Sequence, residues 1–118
     1  MKILIVEDYV DFLEILVEEL AIHQITAVYD ALRACEMLTT NEFDLVITDI
    51  NMPGTGGGER IVQEASEMGV PVVVVTVKDY LQFQRILNLG ADKVFCKMRE
   101  LEDLTKYVEN FSSNIREC

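Results

Sequence analysis

Five residues carry side chains suited to binding or transferring a phosphoryl group, and each stands where an apolar run stops. Glu7 and Asp8 follow Ile3-Leu4-Ile5-Val6, and Asp49 follows Leu45-Val46-Ile47-Thr48. Thr76 closes Val72-Val73-Val74-Val75, and Lys97 follows Val94-Phe95-Cys96. A short apolar run bounded by turn residues reads as a buried strand. In an open α/β sheet, ligands bind outside the carboxyl ends of the strands. Three carboxylates on one such edge repel each other unless a cation intervenes. Hard oxygen donors with no His or thiolate suit Mg²⁺, which takes one or two carboxylates plus phosphate oxygens and keeps some waters. Lys supplies a point charge for phosphate, and Thr supplies a hydrogen bond. Phosphoryl transfer asks mainly for positioning and charge neutralisation, and an Asp carboxylate can serve as its nucleophile. Taken singly, each residue has a plainer reading. Glu7-Asp8 makes a solvated turn at a helix start, Asp49 serves a turn, Thr76 is a β-branched strand former, and Lys97 is a surface charge. The joint pattern carries the signal: five polar residues of the right classes at four strand ends.

The elements that must position them alternate regularly. Strand residues 2–6 precede a helix in which Val10, Leu13, Leu16, Val17 and Leu20 share one face, while Asp11, Glu14 and Glu18 share another. A weaker strand covers residues 24–29. Asp30 is placed to cap the next helix, whose stripe is Leu32, Cys35 and Leu38. The third strand covers residues 43–48 and leads through Ile50-Asn51-Met52-Pro53 to the glycine run Gly56-Gly57-Gly58, read as a mobile turn. The third helix carries Ile61, Val62, Ala65 and Met68, and Gly69 stops it. Residues 72–77 form a strand apolar on both faces, as a central parallel strand is. Asp79 and Gln82 have capping-box spacing, and that helix runs to its breaker Gly90. Residues 93–96 make a fifth strand, and Leu101, Leu104, Val108, Phe111 and Ile115 mark a last helix. Such alternation implies a doubly wound α/β fold with a parallel sheet covered on both faces. No repeat, linker or low-complexity segment interrupts residues 1–118, which read as one domain.

Half of the 118 residues are hydrophobic, enough for a core. No apolar stretch is long enough to span a bilayer, and the N-terminal run meets acid too early for a signal peptide. A cytoplasmic protein without membrane contact is the expectation. The net charge of −11 opposes direct nucleic-acid binding by this domain. Cys35, Cys96 and Cys118 have neither metal-ligand nor disulfide spacing, and Cys96 reads as a buried small hydrophobe. The single His23 reads as a surface or loop residue between two elements. Met1 reads as the natural start, while Cys118, just past a helix, leaves open whether an output domain follows.

The chain resembles the receiver domain of two-component response regulators, a superfamily that includes the chemotaxis response regulators. The resemblance covers essentially the whole chain. It rests on Ile5-Val6-Glu7-Asp8, Asp49-Ile50-Asn51-Met52-Pro53 with Gly57, Val75-Thr76, and Gly90-Ala91-Asp92 leading to Lys97. It implies a five-stranded flavodoxin-like sheet in the order 2-1-3-4-5. It implies that Asp49 is the phosphorylation site, taking its phosphoryl group from a phosphohistidine on a sensor histidine kinase or histidine phosphotransfer protein. Glu7, Asp8, Asp49 and the backbone carbonyl of Asn51 would hold Mg²⁺, for which Mn²⁺ can substitute, and Thr76 and Lys97 would bind the phosphoryl oxygens. Phosphorylation would bias the face made by the fourth helix, fifth strand and fifth helix toward an output domain, a protein target or a homodimer. Such a domain catalyses only its own phosphorylation and dephosphorylation.

Four features depart from the family pattern. Val94 occupies the position of the usual aromatic switch, and its neighbour Phe95 points to the opposite sheet face. Met98 replaces the usual proline after the lysine. A cis bond without proline costs about 2.5–4 kcal/mol, so a trans bond and a reshaped loop are expected. Val77 is bulkier than the usual small residue and should narrow access of water to phospho-Asp49. The stretch 76–90 is one residue short, so the loop before the fourth helix should be tight. These departures motivate an alternative, a degenerate receiver acting as a phosphorylation-independent protein-interaction module. Two further readings use the same ingredients. An FMN-binding flavodoxin-like protein would need a phosphate loop where Glu7-Asp8 stand. A haloacid-dehalogenase-type phosphatase would carry its nucleophile after the first strand.

Overall fold

The computed structural model describes residues 1–51, 57–77, 80–97 and 99–117, the side chains of residues 80, 81 and 115–117 excepted. The chain runs β1 (Lys2–Val6), α1 (Val10–Glu19), β2 (Gln24–Val28), α2 (Ala31–Thr40), β3 (Leu45–Thr48), α3 (Gly57–Glu67), β4 (Val72–Thr76), α4 (Tyr80–Leu89), β5 (Lys93–Cys96) and α5 (Leu101–Glu117). The strands form one sheet in the order β2-β1-β3-β4-β5, and every pairing is parallel. The alternation implies a parallel sheet, and the flavodoxin-like strand order is the one that the family resemblance implies. The chain steps outward from β1 to β2 and then returns to β3, so the topological switch point lies between β1 and β3.

Strand alternation divides the core in two. Leu4, Val6, Val46, Val72, Val74 and Val94 pack with the buried faces of α2, α3 and α4. Ile3, Ile5, Leu45, Ile47, Val73, Val75 and Phe95 pack with α1 and α5. Val94 and Phe95 thus lie on opposite faces, as their adjacency in a strand dictates. No described helix is long and apolar enough to cross a membrane.

The helix starts and stops follow local chemistry. Asp30 caps α2, its carboxylate accepting the Arg33 amide at 2.8 Å. Gly90 ends α4 at φ 121°, and a Cβ there would overlap the Ser66 hydroxyl, so backbone conformation and packing both demand glycine. Four expectations about faces need correction. The buried stripe of α2 is Ala31, Ala34, Cys35 and Leu38, whereas Leu32 is 60% exposed. Val10 at the start of α1 is also exposed, as is Met68, which lies past the end of α3. His23 is buried: hydrogen bonding of the Gln24 amide to the Met1 carbonyl draws the amino terminus alongside, and His23 Nδ1 lies 3.4 Å from the Met1 nitrogen. Strand ends shift by one or two residues, with Tyr29, Phe43 and Val77 lying outside their strands. Residues 77–79 separate β4 from α4, within the usual range for such a connection. The trans bond and loop expected at Met98, the Asp79 cap, the turn over residues 52–56 and Cys118 lie outside the described residues.

The corrected stripe has a stability consequence. Leu38→Ala should lower unfolding free energy by about 3 kcal/mol, in the range for an emptied core site. Leu32→Ala should change it by less than about 0.5 kcal/mol. Urea denaturation of the two variants checks this, and equal costs would restore Leu32 to the core face.

Candidate functional site

Glu7, Asp49 and Lys97 share one geometric origin. Each is the first residue past its strand, and each extends the sheet's hydrogen bonding by one step. The Glu7 amide donates to Val28 O at 3.1 Å, that of Asp49 to Val6 O at 3.1 Å, and that of Lys97 to Thr76 O at 2.9 Å. Their side chains therefore keep the pleat of Ile5, Ile47 and Phe95 and rise on the face covered by α1 and α5. Glu7 and Asp49 stand on β1 and β3, the two sides of the switch point.

Lys97 Nζ reaches both carboxylates, pairing with Glu7 Oε1 and with Asp49 Oδ2, the latter at 2.8 Å. Side-chain exposure is 8% for Lys97 in both pairs, 2% for Glu7 and 6% for Asp49. Nζ also lies 5.0 Å from the centre of the Phe12 ring on α1, a cation–π contact. The remaining carboxylate oxygens are held by backbone. Glu7 Oε2 accepts the Tyr9 amide at 3.1 Å. Asp49 Oδ1 accepts the amides of Ile50 at 2.6 Å and Asn51 at 3.2 Å. Thr48 Oγ1 donates to the Asp49 carbonyl at 2.8 Å, fixing the peptide that follows the nucleophile candidate. Burial pushes the Glu7 carboxyl above its ordinary pKa, against the hydrogen bonds from Lys97 and Tyr9 that lower it. Burial alone would pull the Lys97 ammonium down. Hydrogen bonds to Asp49 and Glu7 and their charges outweigh it, and its pKa stands above the ordinary value.

Asp8 is exposed, and one oxygen each of Glu7, Asp8 and Asp49 lie within 4.8 Å of one another. Three carboxylates against one ammonium leave two unbalanced negative charges. This all-oxygen donor set fits a small hard divalent cation. Thr76 is the buried last residue of β4, on the pleat of Val72 and Val74 that faces α3 and α4, and it joins the site through its carbonyl. Asn51 joins through its amide. Val77 is 60% exposed just past Thr76, and Val94 is buried on the α4 side.

Several contributors escaped the sequence reading. Phe12 is not among the residues assigned to the apolar face of the first helix, and Thr48 stands only as the last residue of a strand run. Gly58 sits against the end of β3: a Cβ there would overlap the Asp49 carbonyl oxygen and lie 2.6 Å from Ile50 Cα. The glycine run is thus, at Gly58, a close approach of backbone to backbone in the first turn of α3. Its visible signal was only an excess of glycine.

Comparison with known proteins places the chain in a family and supports its fold. The family model described as "Response regulator receiver domain" matches residues 3–109, and the chain belongs to that family. It is 30% identical over 121 residues to the sensor histidine kinase RcsC of Salmonella typhi, an alignment covering 98% of this chain and 13% of the kinase. It is 30% identical over 106 residues to the response regulator ArlR of Staphylococcus haemolyticus, covering 87% of this chain and 48% of the regulator. The chain therefore spans less than half the length of these curated relatives. Among solved structures, the CheY-like receiver domain protein of Methanospirillum hungatei JF-1 superposes with a TM-score of 0.85 at 24% identity, covering 99% and 98% of the two chains. TrrA of Thermotoga maritima, solved in complex with Mg²⁺-BeF, superposes with a TM-score of 0.82 at 24% identity, covering 93% and 97%.

Because Gly58 touches the main chain of Asp49 and Ile50, Gly58→Ala must push α3 away from the sheet edge. It should destabilise the protein by about 3 kcal/mol, the upper part of the overpacking range. Chemical denaturation measures this, and a neutral Gly58→Ala would mean that α3 can shift freely.

Proposed function

We propose that residues 1–118 form one phosphoacceptor receiver domain of a cytoplasmic two-component system, with Asp49 as the phosphorylation site. The single observation that carries this reading is the buried Lys97 ammonium on Asp49 Oδ2, beside three carboxylates at the switch point. Asp49 Oδ1 is occupied by two backbone amides, so it fixes the carboxyl plane. Oδ2 is the oxygen that forms the new O–P bond as the donor's N–P bond breaks. The bonding pair stays on the imidazole nitrogen of a sensor histidine kinase or histidine phosphotransfer protein. Lys97 then exchanges its bond to Oδ2 for one to a phosphoryl oxygen, and the Thr76 hydroxyl takes another from the α4 side.

Glu7, Asp8, Asp49 and the Asn51 carbonyl would hold Mg²⁺, with Mn²⁺ as a substitute. When bound, the ion neutralises carboxylate and phosphoryl charge together. The complex of TrrA with Mg²⁺-BeF supports this reading by analogy of fold. The α4-β5-α5 face would carry the response to an output domain, a target protein or a second copy. Buried Val94 offers no aromatic ring to that switch, so its movement would rest on Thr76.

Intact-mass spectrometry after incubation with acetyl phosphate tests the reading. Wild type should gain one phosphoryl adduct that depends on Mg²⁺, and Asp49→Asn should gain none. No wild-type adduct from either acetyl phosphate or a phosphohistidine donor would turn the reading to a phosphorylation-independent module. Exposed Val77 stands beside the route by which water reaches phospho-Asp49. Val77→Ala should shorten the lifetime of the adduct severalfold, and an unchanged decay rate would remove Val77 from the access path.

A further inference from the structure

β5 is an edge strand, so half of its amides face away from the sheet with no strand to receive them. Cys96 is one of these. Its amide donates instead to the side chain of Glu100, at 2.8 Å from Oε1. Glu100 also donates its own amide to the Cys96 carbonyl at 2.9 Å, and the Arg99 amide lies 3.3 Å from the same oxygen. One residue, half-buried at the start of α5, therefore grips both sides of Cys96.

The consequence falls on Lys97. The peptide plane joining Cys96 to Lys97 has its carbonyl held by Glu100 and Arg99, and its amide held by Thr76 O at 2.9 Å. The preceding plane is held by Glu100 Oε1. Two successive planes fixed in this way set the direction in which the Lys97 side chain leaves the strand. That direction matters because Nζ must meet Glu7, Asp49 and the Phe12 ring together. The lysine stem has several rotatable bonds, so a small rotation of the Cys96–Lys97 peptide moves Nζ by a larger distance.

We propose that Glu100 is a positioning residue for Lys97: its carboxylate and amide clamp Cys96 and aim the lysine at Asp49. Glu100 touches neither Asp49 nor a phosphoryl group and acts through Lys97 alone. The essential property is an acceptor oxygen at Oε1 rather than the charge. The inference rests on the phosphoacceptor reading only for its kinetic consequence, and the placement of Lys97 can be read without it.

The test compares Glu100→Ala and Glu100→Gln, each alone and combined with Lys97→Ala. The first readout is the initial rate of Mg²⁺-dependent adduct formation with acetyl phosphate. Glu100→Ala should slow it by about tenfold, less than the cost of a fully misplaced catalytic group. Glu100→Gln, which keeps the acceptor oxygen, should stay within about twofold of wild type. In the Lys97→Ala background Glu100→Ala should have no further effect, because the two residues act as one unit. The second readout is the Lys97 ammonium signal in nitrogen-15 NMR, sheltered from solvent exchange by its two carboxylate partners. It should persist in wild type and Glu100→Gln and broaden in Glu100→Ala.

Three results would overturn the proposal: a full wild-type rate in Glu100→Ala, an equal loss with and without Lys97, or an unmoved Lys97 signal. An amide variant as slow as the alanine would show that charge, not acceptance of the Cys96 amide, is what counts, and would overturn it as stated. If Glu100→Ala fails to fold, the Gln comparison in both lysine backgrounds decides. A wild type that takes no phosphoryl group while Glu100→Ala loses the ammonium signal would leave the clamp standing and remove the phosphoacceptor reading.

Discussion

Two buried carboxylates within reach of each other are unfavourable unless a cation stands between them, and in this chain Lys97 supplies that cation. Its ammonium meets Glu7 and Asp49 where β1, β3 and β5 end. Remove it, and the local charge left by Glu7, Asp8 and Asp49 is wholly negative on a chain already at −11. The pair is no simple source of stability, since desolvation consumes much of what attraction returns. Its effect is on geometry. β1 and β3 end level, Val6 beside Thr48, whereas Thr48 is level with Val74 and Val94, so β5 runs two residues further. Nζ meets both carboxylates because the long lysine stem spans that offset.

The same fixed register explains why a parallel sheet is needed. Glu7, Asp49 and Lys97 are far apart in sequence, yet each is one step beyond the last ladder residue of its strand. A one-residue slip of any strand would turn its side chain to the other face. Glu7 would then point toward α2 and α3, or Lys97 toward α4, and the site would not form. The apolar alternation therefore specifies the site as well as the core. Ile5, Ile47 and Phe95 select the face, and the charged residue that follows each strand inherits the choice.

That inheritance is why the strands and the main site residues could be read from the sequence. Buried parallel strands have the same apolar signature throughout, and polar residues interrupting them stand out. Asp30 was readable as a cap because its chemistry is local, and Val94 and Phe95 were separable because strand alternation is strict. The helix faces were less legible. In α2 a hydrophobicity count favours Leu32, but the helix approaches the sheet along Ala31 and Ala34, whose small side chains permit close packing. Phe12, Gly58 and Glu100 escaped for a related reason. Phe12 acts through Lys97, distant in sequence, Gly58 through a close backbone approach, and Glu100 through the main chain of Cys96 four residues before it, and none of these leaves a periodic trace. His23 was missed because its burial depends on where the first residue of the chain lies.

Under the phosphoacceptor reading, the two core layers give the site two separate connections to the rest of the molecule. Lys97, Glu7 and Asp49 rise from the α1/α5 layer, while Thr76 and Val94 belong to the α2/α3/α4 layer. A phosphoryl group on Asp49 would touch both, with Lys97 on one side and the Thr76 hydroxyl on the other. Movement of Thr76 alone is a short-range change at the end of β4. To bias α4 it must act through side chains packed on the same face, which on β5 are Cys96, opposite Thr76, and Val94, opposite Val74, both buried. A branched aliphatic side chain cannot swing between buried and exposed positions as a long ring can. Coupling in this chain would therefore run through small displacements of packed groups.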